Sequence, residues 1–334
     1  MSALTTRRRA LQWTVAALGS TALTSSLHAQ THAPLRPEVP ELPELRVGFQ
    51  KGSFNQVLLK SLQLLDKHLP GTRVHWVEFP AGPQMLEALA LGSVDIGGVG
   101  DSPPVFAQAA GKDLFYVGAE PPKPDSSAVL VKPESSLKTL ADLKGKRIAV
   151  QKGSSAHYLL VQAVAKGGLA WSDISPIYLP PADARAAFEK GAVDAWAIWD
   201  PYYAAAEIAG GTRVLSSSRG LTNNNTFYLA SRALAGNEPA LRAIFAALTD
   251  TDAWVQAHRT EAARRFAEFA GLPLTTVNRV LERRPASPVG PLSPALVAEQ
   301  QKVADAFAQL GLIPKPIRVA ELVWQPGQVL AQNR

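Results

Sequence analysis

The sequence predicts an α/β fold in which two βαβαβ halves of matching layout follow one another, and three observations predict it. Gln50-Lys51-Gly52-Ser53 recurs as Gln151-Lys152-Gly153-Ser154, each time after a short apolar strand and before a helix of apolar periodicity. Both copies continue alike: a second strand ending at proline, a helix, then a Gly-x-Val-Asp turn (Gly92 to Asp95; Gly191 to Asp194) into a third strand. Parallel strands need helical crossovers, and those crossovers come out right-handed, so the strand and helix order reads as two open sheets. Ancient duplication and convergence on a common unit both give such an echo.

At 334 residues with 46% apolar content, the chain can bury two cores of ordinary size. Its formal charge of +6 includes Arg7, Arg8 and Arg9 of the leader, and the rest is too mild and too evenly spread for a nucleic-acid partner. The absence of cysteine excludes disulfides, thiolate metal sites and thiol nucleophiles. The six histidines lack close ligand spacing, so no metal and no cofactor is expected.

Residues 1–29 carry a basic start, an apolar run from Leu11 to Leu27 and a small-residue ending at Ala29, the pattern of an export signal. Thr6-Arg7-Arg8-Arg9 also resembles a twin-arginine signal, with Ala10 where a bulky residue is usual. Residues 30–44, with prolines at 34, 37, 40 and 43, read as an extended leader.

Residues 45–128 form the first part of one lobe. Its first strand, Leu45 to Phe49, leads to a helix whose Val57, Leu58, Leu62, Leu65 and Leu69 make one apolar stripe. A second strand, Val74 to Phe79, turns at Pro80-Ala81-Gly82-Pro83-Gln84 into a helix, with Pro83 suited to its first turn. A third, Asp95 to Val99, is followed by Gly100-Asp101-Ser102, where Asp101 or Ser102 suits a helix cap. Phe115 to Ala119 and Ser126 to Val131 complete the sheet and lead onward.

Residues 129–226 form the second lobe, with Arg147 to Gln151, Ile174 to Leu179 and the stretch after Asp194 as its strands. The helix after Gly153-Ser154-Ser155 begins where small hydroxyl residues lie. Its first N–H groups lack intrahelical partners and carry the positive end of the dipole, so a small anion can be held there, although Ser154 or Ser155 can equally be a plain N-cap. In Ala195-Trp196-Ala197-Ile198-Trp199, period two puts the tryptophans on opposite faces, and Trp199, nearest the strand end, is expected to look into a cleft. Asp200 reads first as the cap of the helix beginning at Pro201. Asn223-Asn224-Asn225 reads first as a turn before a strand, Thr226 to Ala230, that returns to the first lobe.

Residues 227–317 then supply that strand and C-terminal helices packing on the first lobe, in which Glu261, Arg264, Arg265 and Glu268 form a solvated face. Residues 318–334 read as a loosely held tail.

Several stretches resemble one family: Val77 to Leu89, Glu120-Pro121-Pro122-Lys123-Pro124, Gln151 to Ser155, and Pro181 to Phe188 running on to Asp194 to Tyr203. On these the chain resembles the type II periplasmic solute-binding proteins of ABC importers, in particular the aliphatic sulfonate-binding group. The resemblance implies a two-lobed fold of two βαβ sheets joined by a hinge, and a monomer outside the cytoplasm. It further implies a small alkanesulfonate as ligand and an ABC permease with its ATPase as partners, and no catalysis.

It places helix starts at Gln50, Gly52, Ser53 and Phe54; at Gly82 and Gln84; at Gly100, Asp101 and Ser102; and at Gly153, Ser154 and Ser155 around one cleft. A sulfonate's three oxygens would be met there by backbone N–H, hydroxyl and amide donors, Asn225 among them, without Lys or Arg. The alkyl tail would rest against Trp199 and Phe54, with His157 near the rim and Asp200 beside Trp199 in the same site. Ser102 departs from the family, where an aliphatic residue is usual. Relatives binding taurine, nitrate or a thiamine-precursor pyrimidine remain the alternative. Pyrimidine-forming synthases share the fold but depend on a cysteine-rich motif, absent here.

Overall fold

In the computed structural model, which describes residues 42–327, the chain builds two five-stranded mixed sheets with helices on both faces. The export-signal and twin-arginine readings fall on residues outside those described. The first sheet begins with β1 (Glu44–Gln50), α1 (Phe54–Ser61), α2 (Leu64–His68), β2 (Arg73–Phe79), α3 (Gly82–Ala90), β3 (Ile96–Gly100), α4 (Ser102–Ala109) and β4 (Phe115–Glu120). The second holds β5 (Ser127–Val131), β6 (Arg147–Val150), α5 (Ser155–Lys166), β7 (Ser175–Tyr178), α6 (Pro181–Glu189), β8 (Ala195–Trp199), α7 (Tyr202–Ile208) and β9 (Arg213–Ser217). The chain then returns to the first through β10 (Thr226–Ala230) and continues as α8 (Arg232–Ala235), α9 (Glu238–Ala257), α10 (Arg259–Ala270), α11 (Leu274–Arg283) and α12 (Pro294–Gln309).

The strand orders, β2-β1-β3-β10-β4 and β7-β6-β8-β5-β9, correspond strand for strand. In each, three adjacent parallel strands are followed by a single antiparallel strand, β10 or β5, which pairs on its other side with an edge strand, β4 or β9, that runs with the first three. The Gly-x-Val-Asp repeat has a physical cause. Asp95 accepts the Arg46 backbone N–H at 2.7 Å and Asp194 accepts that of Arg147 at 2.7 Å, each aspartate also meeting the arginine's guanidinium. The aspartate entering the third strand thus ties it to the first strand in both lobes.

Period-two alternation divides each sheet between two cores. Along β10, Phe227 and Leu229 join Met85, Val105, Tyr116 and Phe307 on one face, while Tyr228 and Ala230 join Val47, Ile96, Ile244 and Leu248 on the other. Along β5, Val129 and Val131 pack with Leu159 and Leu160, and Ala128 and Leu130 with Trp196 and Phe188.

Two segments connect the sheets, one between β4 and β5 and one between β9 and β10. They are bonded to each other: Lys123 N–H donates to the Asn223 carbonyl at 2.8 Å, and Asn224 Nδ2 donates to Ser126 Oγ at 2.7 Å and Ser127 Oγ at 3.1 Å. This paired crossover is the hinge on which the lobes can move.

Four expectations need correction. The first helix is two, because Gln63 takes a left-handed φ of 52° that ends α1, although Leu65 and Leu69 keep their buried positions. The leader gives way earlier than residue 44, since Glu44 already pairs with Arg73 in the sheet and the Pro43 carbonyl accepts the Arg73 N–H. Strand β9 has no counterpart in the sequence reading, being a short, half-buried edge strand of Arg-Val-Leu-Ser-Ser. The segment from Arg318 to Trp324 is no loose tail: Val319 is buried, Val323 bridges to Tyr116, and Trp324 N–H donates to the Tyr116 carbonyl.

Candidate functional site

The carboxyl ends of the parallel strands face each other across a cavity of about 120 Å³, room for a small molecule and not for a peptide. Of the residues singled out from the sequence, Gln50, Gly52, Ser53, Phe54, Gly82, Gly100, Ser154, Ser155, Trp199 and Asp200 line it. They arrive from the β1–α1, β2–α3, β3–α4 and β6–α5 turns and the end of β8, where an open α/β sheet places its ligand.

The helix starts differ in what they offer. Ser53 at the N-cap of α1 and Ala81 at that of α3 make no side-chain cap, so early N–H groups of both helices stay free of side-chain partners. Helix α4 offers little, because Pro103 and Pro104 occupy its second and third positions and carry no N–H. At α5, Ser154 is the cap: its Oγ accepts the His157 N–H at 3.3 Å and donates to the Gln151 carbonyl at 2.7 Å. The Ser154 hydroxyl is therefore spent on its own turn, and Ser155 is the hydroxyl that faces the other lobe.

The wall also carries fixed charge, which corrects the expectation of a site without Lys or Arg. Lys123 and Arg284 both line the cavity, and both reach Glu120 Oε2, at 3.0 and 3.2 Å. Tyr228 OH donates to the other carboxylate oxygen at 2.9 Å. Burial alone would push the Glu120 carboxyl up, but Lys123 and Arg284 outweigh it and hold it below the usual carboxylate range. Burial pushes Lys123 down against the pull of Glu120. The signal was faint: Lys123 sits in a Pro-Pro-Lys-Pro loop and Arg284 follows a helix with no motif. Asn224, Thr226, Tyr228 and Phe266 are further wall residues that pattern reasoning did not single out.

Trp196 is 1% exposed and packs at 5.9 Å from Phe188, while Trp199 is half-buried in the cavity wall, as period two requires. Phe54 stacks on Phe266 at 4.5 Å and supplies apolar wall from the first lobe. Asp200 does hold the first turn of α7, accepting the Ala204 N–H at 2.9 Å, and it also meets Arg283 of the opposite lobe at 3.3 Å. Burial pushes the Asp200 carboxyl up to about 7 despite Arg283. Its Oδ2 has no hydrogen-bond partner among the described residues.

Six expected site residues stand off the wall. Gln84 and Gly153 do not line it, and Gln84 Oε1 is buried with no partner among the described residues. Ser102 is buried, and its Oγ donates to Asp101 Oδ1 at 2.9 Å. Burial pushes Asp101 up to about 6, against hydrogen bonds from Ser102 and Ser155. Asn225 turns its amide to Glu299 at 2.9 Å. His157 is not at the rim: it is fully buried among Phe106, Trp171, Tyr178 and Phe307, and its Nδ1 accepts the Gly153 N–H.

Burial, with Lys152 adding to it, pushes His157 down to about 3. A folded pKa below the unfolded one means the stability it contributes is present above about pH 6.5 and is lost as pH falls toward 3. At pH 5 this amounts to about 2 kcal/mol relative to pH 7.5. In urea unfolding at the two pH values, wild type is expected to lose that much more than His157→Phe; equal losses would contradict the assignment.

A two-lobed α/β molecule that closes a donor-lined cavity between its sheet edges is, as a class, a solute-binding protein. Comparison with known proteins gives the particular family. The chain belongs to the NMT1-like family, whose model matches residues 38–271, and there to the aliphatic sulfonates-binding proteins. It is 48% identical over 309 residues to a putative aliphatic sulfonates-binding protein of Escherichia coli, covering 92% of this chain and 96% of that one. Its structure is similar to the alkanesulfonate-binding protein SsuA of Xanthomonas axonopodis pv. citri bound to MOPS, with a TM-score of 0.82 and 49% identity over 84% of this chain and 98% of that one. It is also similar to the periplasmic aliphatic sulphonate-binding protein SsuA of Escherichia coli, with a TM-score of 0.80 and 48% identity, covering 87% and 95%.

Proposed function

We propose that this chain is the solute-binding component of an ABC importer, which captures aliphatic sulfonates between its lobes outside the cytoplasm and delivers them to a membrane permease for sulfur acquisition. The observation that carries the reading is the polarity of the cavity. Lys123, Arg284 and the uncapped starts of α1 and α3 offer cationic and N–H donors, while Trp199, Phe54 and Phe266 offer apolar wall. An amphipathic anion fits that arrangement, and the sulfonate-binding relatives support it. On this reading residues 1–29 direct export, by the general secretory or the twin-arginine route, and the mature chain acts as a monomer.

A thermal-shift panel of alkanesulfonates, taurine, sulfate, nitrate and a pyrimidine tests the reading. Alkanesulfonates are expected to raise the melting temperature, by mass action worth about 2.7 kcal/mol at a hundredfold excess over Kd. A shift from the pyrimidine alone would refute it. Trp199→Ala is expected to weaken a long-tailed alkanesulfonate about tenfold and methanesulfonate little, because apolar burial scales with the tail. Equal losses for both, by calorimetric titration, would remove Trp199 from the tail site.

A further inference from the structure

Glu120 closes strand β4 at the cavity wall with its side chain 5% exposed, and both cations that meet it are 9% exposed. Both of its oxygens are engaged by the protein: Lys123 and Arg284 on Oε2, Tyr228 OH on Oε1. The other acidic side chain in the wall, Asp200, is matched by Arg283 from outside the wall. Within the wall, two cations against one carboxylate therefore leave a surplus of one positive charge. A small cavity between two lobes screens an uncompensated charge poorly, so the charge number of the occupant has to match.

We infer that Glu120 is a specificity-determining residue, which cancels one of the two buried cations so that the cavity accepts a headgroup of one negative charge and rejects dianions. The inference rests on the sulfonate reading and deepens it: sulfonates carry one charge whatever their tail, whereas sulfate and phosphate monoesters carry two near neutral pH. Glu120 acts through Lys123 and Arg284, which supply the attraction, and it sets how much of that attraction is left over. A site with Lys123 and Arg284 alone would be an oxyanion trap of the wrong valence.

The test uses the full chain with methanesulfonate as the monoanion and sulfate as the dianion, titrated calorimetrically at pH 7.5. Wild type is expected to prefer methanesulfonate at least a hundredfold. Glu120→Gln is expected to shrink that ratio at least tenfold, mainly by gaining sulfate affinity, and Glu120→Gln with Lys123→Met to restore it, the net charge being returned. Lys123→Met alone, which keeps Glu120 paired with Arg284, is expected to lose methanesulfonate affinity at least tenfold. It serves also if Glu120→Gln does not fold. An unchanged ratio in Glu120→Gln, or unchanged affinity in Lys123→Met, with wild type still binding methanesulfonate, overturns the role of Glu120 alone. Wild type binding neither anion overturns the sulfonate reading and this inference with it.

Discussion

Gly100→Val is expected to abolish detectable sulfonate binding while leaving the melting temperature of the ligand-free protein close to that of wild type. The expectation follows from what a Cβ at residue 100 would meet. It would lie 1.8 Å from Ser155 Oγ and 3.1 Å from Ser155 Cβ, both across the cleft, and its nearest contact on its own side is the Asn225 carbonyl at 3.9 Å. The first lobe by itself has space for a side chain there; the closed pair of lobes has none. Gly52 makes the same kind of approach, where an added Cβ would stand 2.9 Å from the Asp200 carbonyl oxygen. Glycine permits close approach across the cleft at both positions, to the Ser155 side chain at Gly100 and to the Asp200 backbone at Gly52, with no positive φ involved. Gly100→Ala is expected to cost about tenfold, since Ser155 can rotate away by giving up its contact with Asp101. Ser155→Gly in the Gly100→Val background is expected to recover much of the affinity. Full affinity in Gly100→Val, read by calorimetry, would show that the lobes need not approach this closely.

The paired architecture was legible because the same physical problem is solved twice with the same residues. Each Gln-Lys-Gly-Ser turn and each Gly-x-Val-Asp turn serves a parallel β-β-β unit, and the aspartates do the same work at Arg46 and Arg147. Trp196 and Trp199 could be sorted because alternation along a strand is a strict geometric rule. The cation cluster was not legible, since Glu120, Lys123 and Arg284 are brought together by a hinge crossover and a coil 164 residues apart in sequence. His157 misled for a related reason. Its position at the start of α5 suggested a rim, yet the partners that bury it, Phe106 and Phe307, belong to α4 and α12 of the other lobe. Local pattern reports which face a side chain takes, and only the tertiary packing decides what covers it.

The same dependence on contacts between lobes gives the second large effect, at Arg283. This arginine leaves the end of α11, on the first lobe, and meets Asp200 at 3.3 Å and Glu207 of the second lobe, with its guanidinium 3.7 Å from the Tyr203 ring centroid. Its side chain is 8% exposed, so the ion pairs form out of water, where breaking one leaves an uncompensated charge. Arg279, one turn earlier, pairs with the same Glu207 at 2.9 Å but is 41% exposed, and an exposed pair is worth little. Closing the lobes is what assembles both pairs. Arg283→Met is therefore expected to weaken sulfonate binding by roughly a hundredfold, corresponding to about 3 kcal/mol, because the closed form alone bears the loss. Arg279→Met is expected to weaken it less than about threefold. The contrast also runs with pH: burial pushes Asp200 up to about 7 in the closed form, so closure is expected to become less favourable as pH rises toward 7 and the buried carboxyl ionises. Removing Arg283, which opposes that upward push, is expected to steepen the decline toward pH 8. Equal losses in the two arginine variants would show that burial at this contact does not govern closure, and that the ion pairs across the cleft are incidental to holding the ligand.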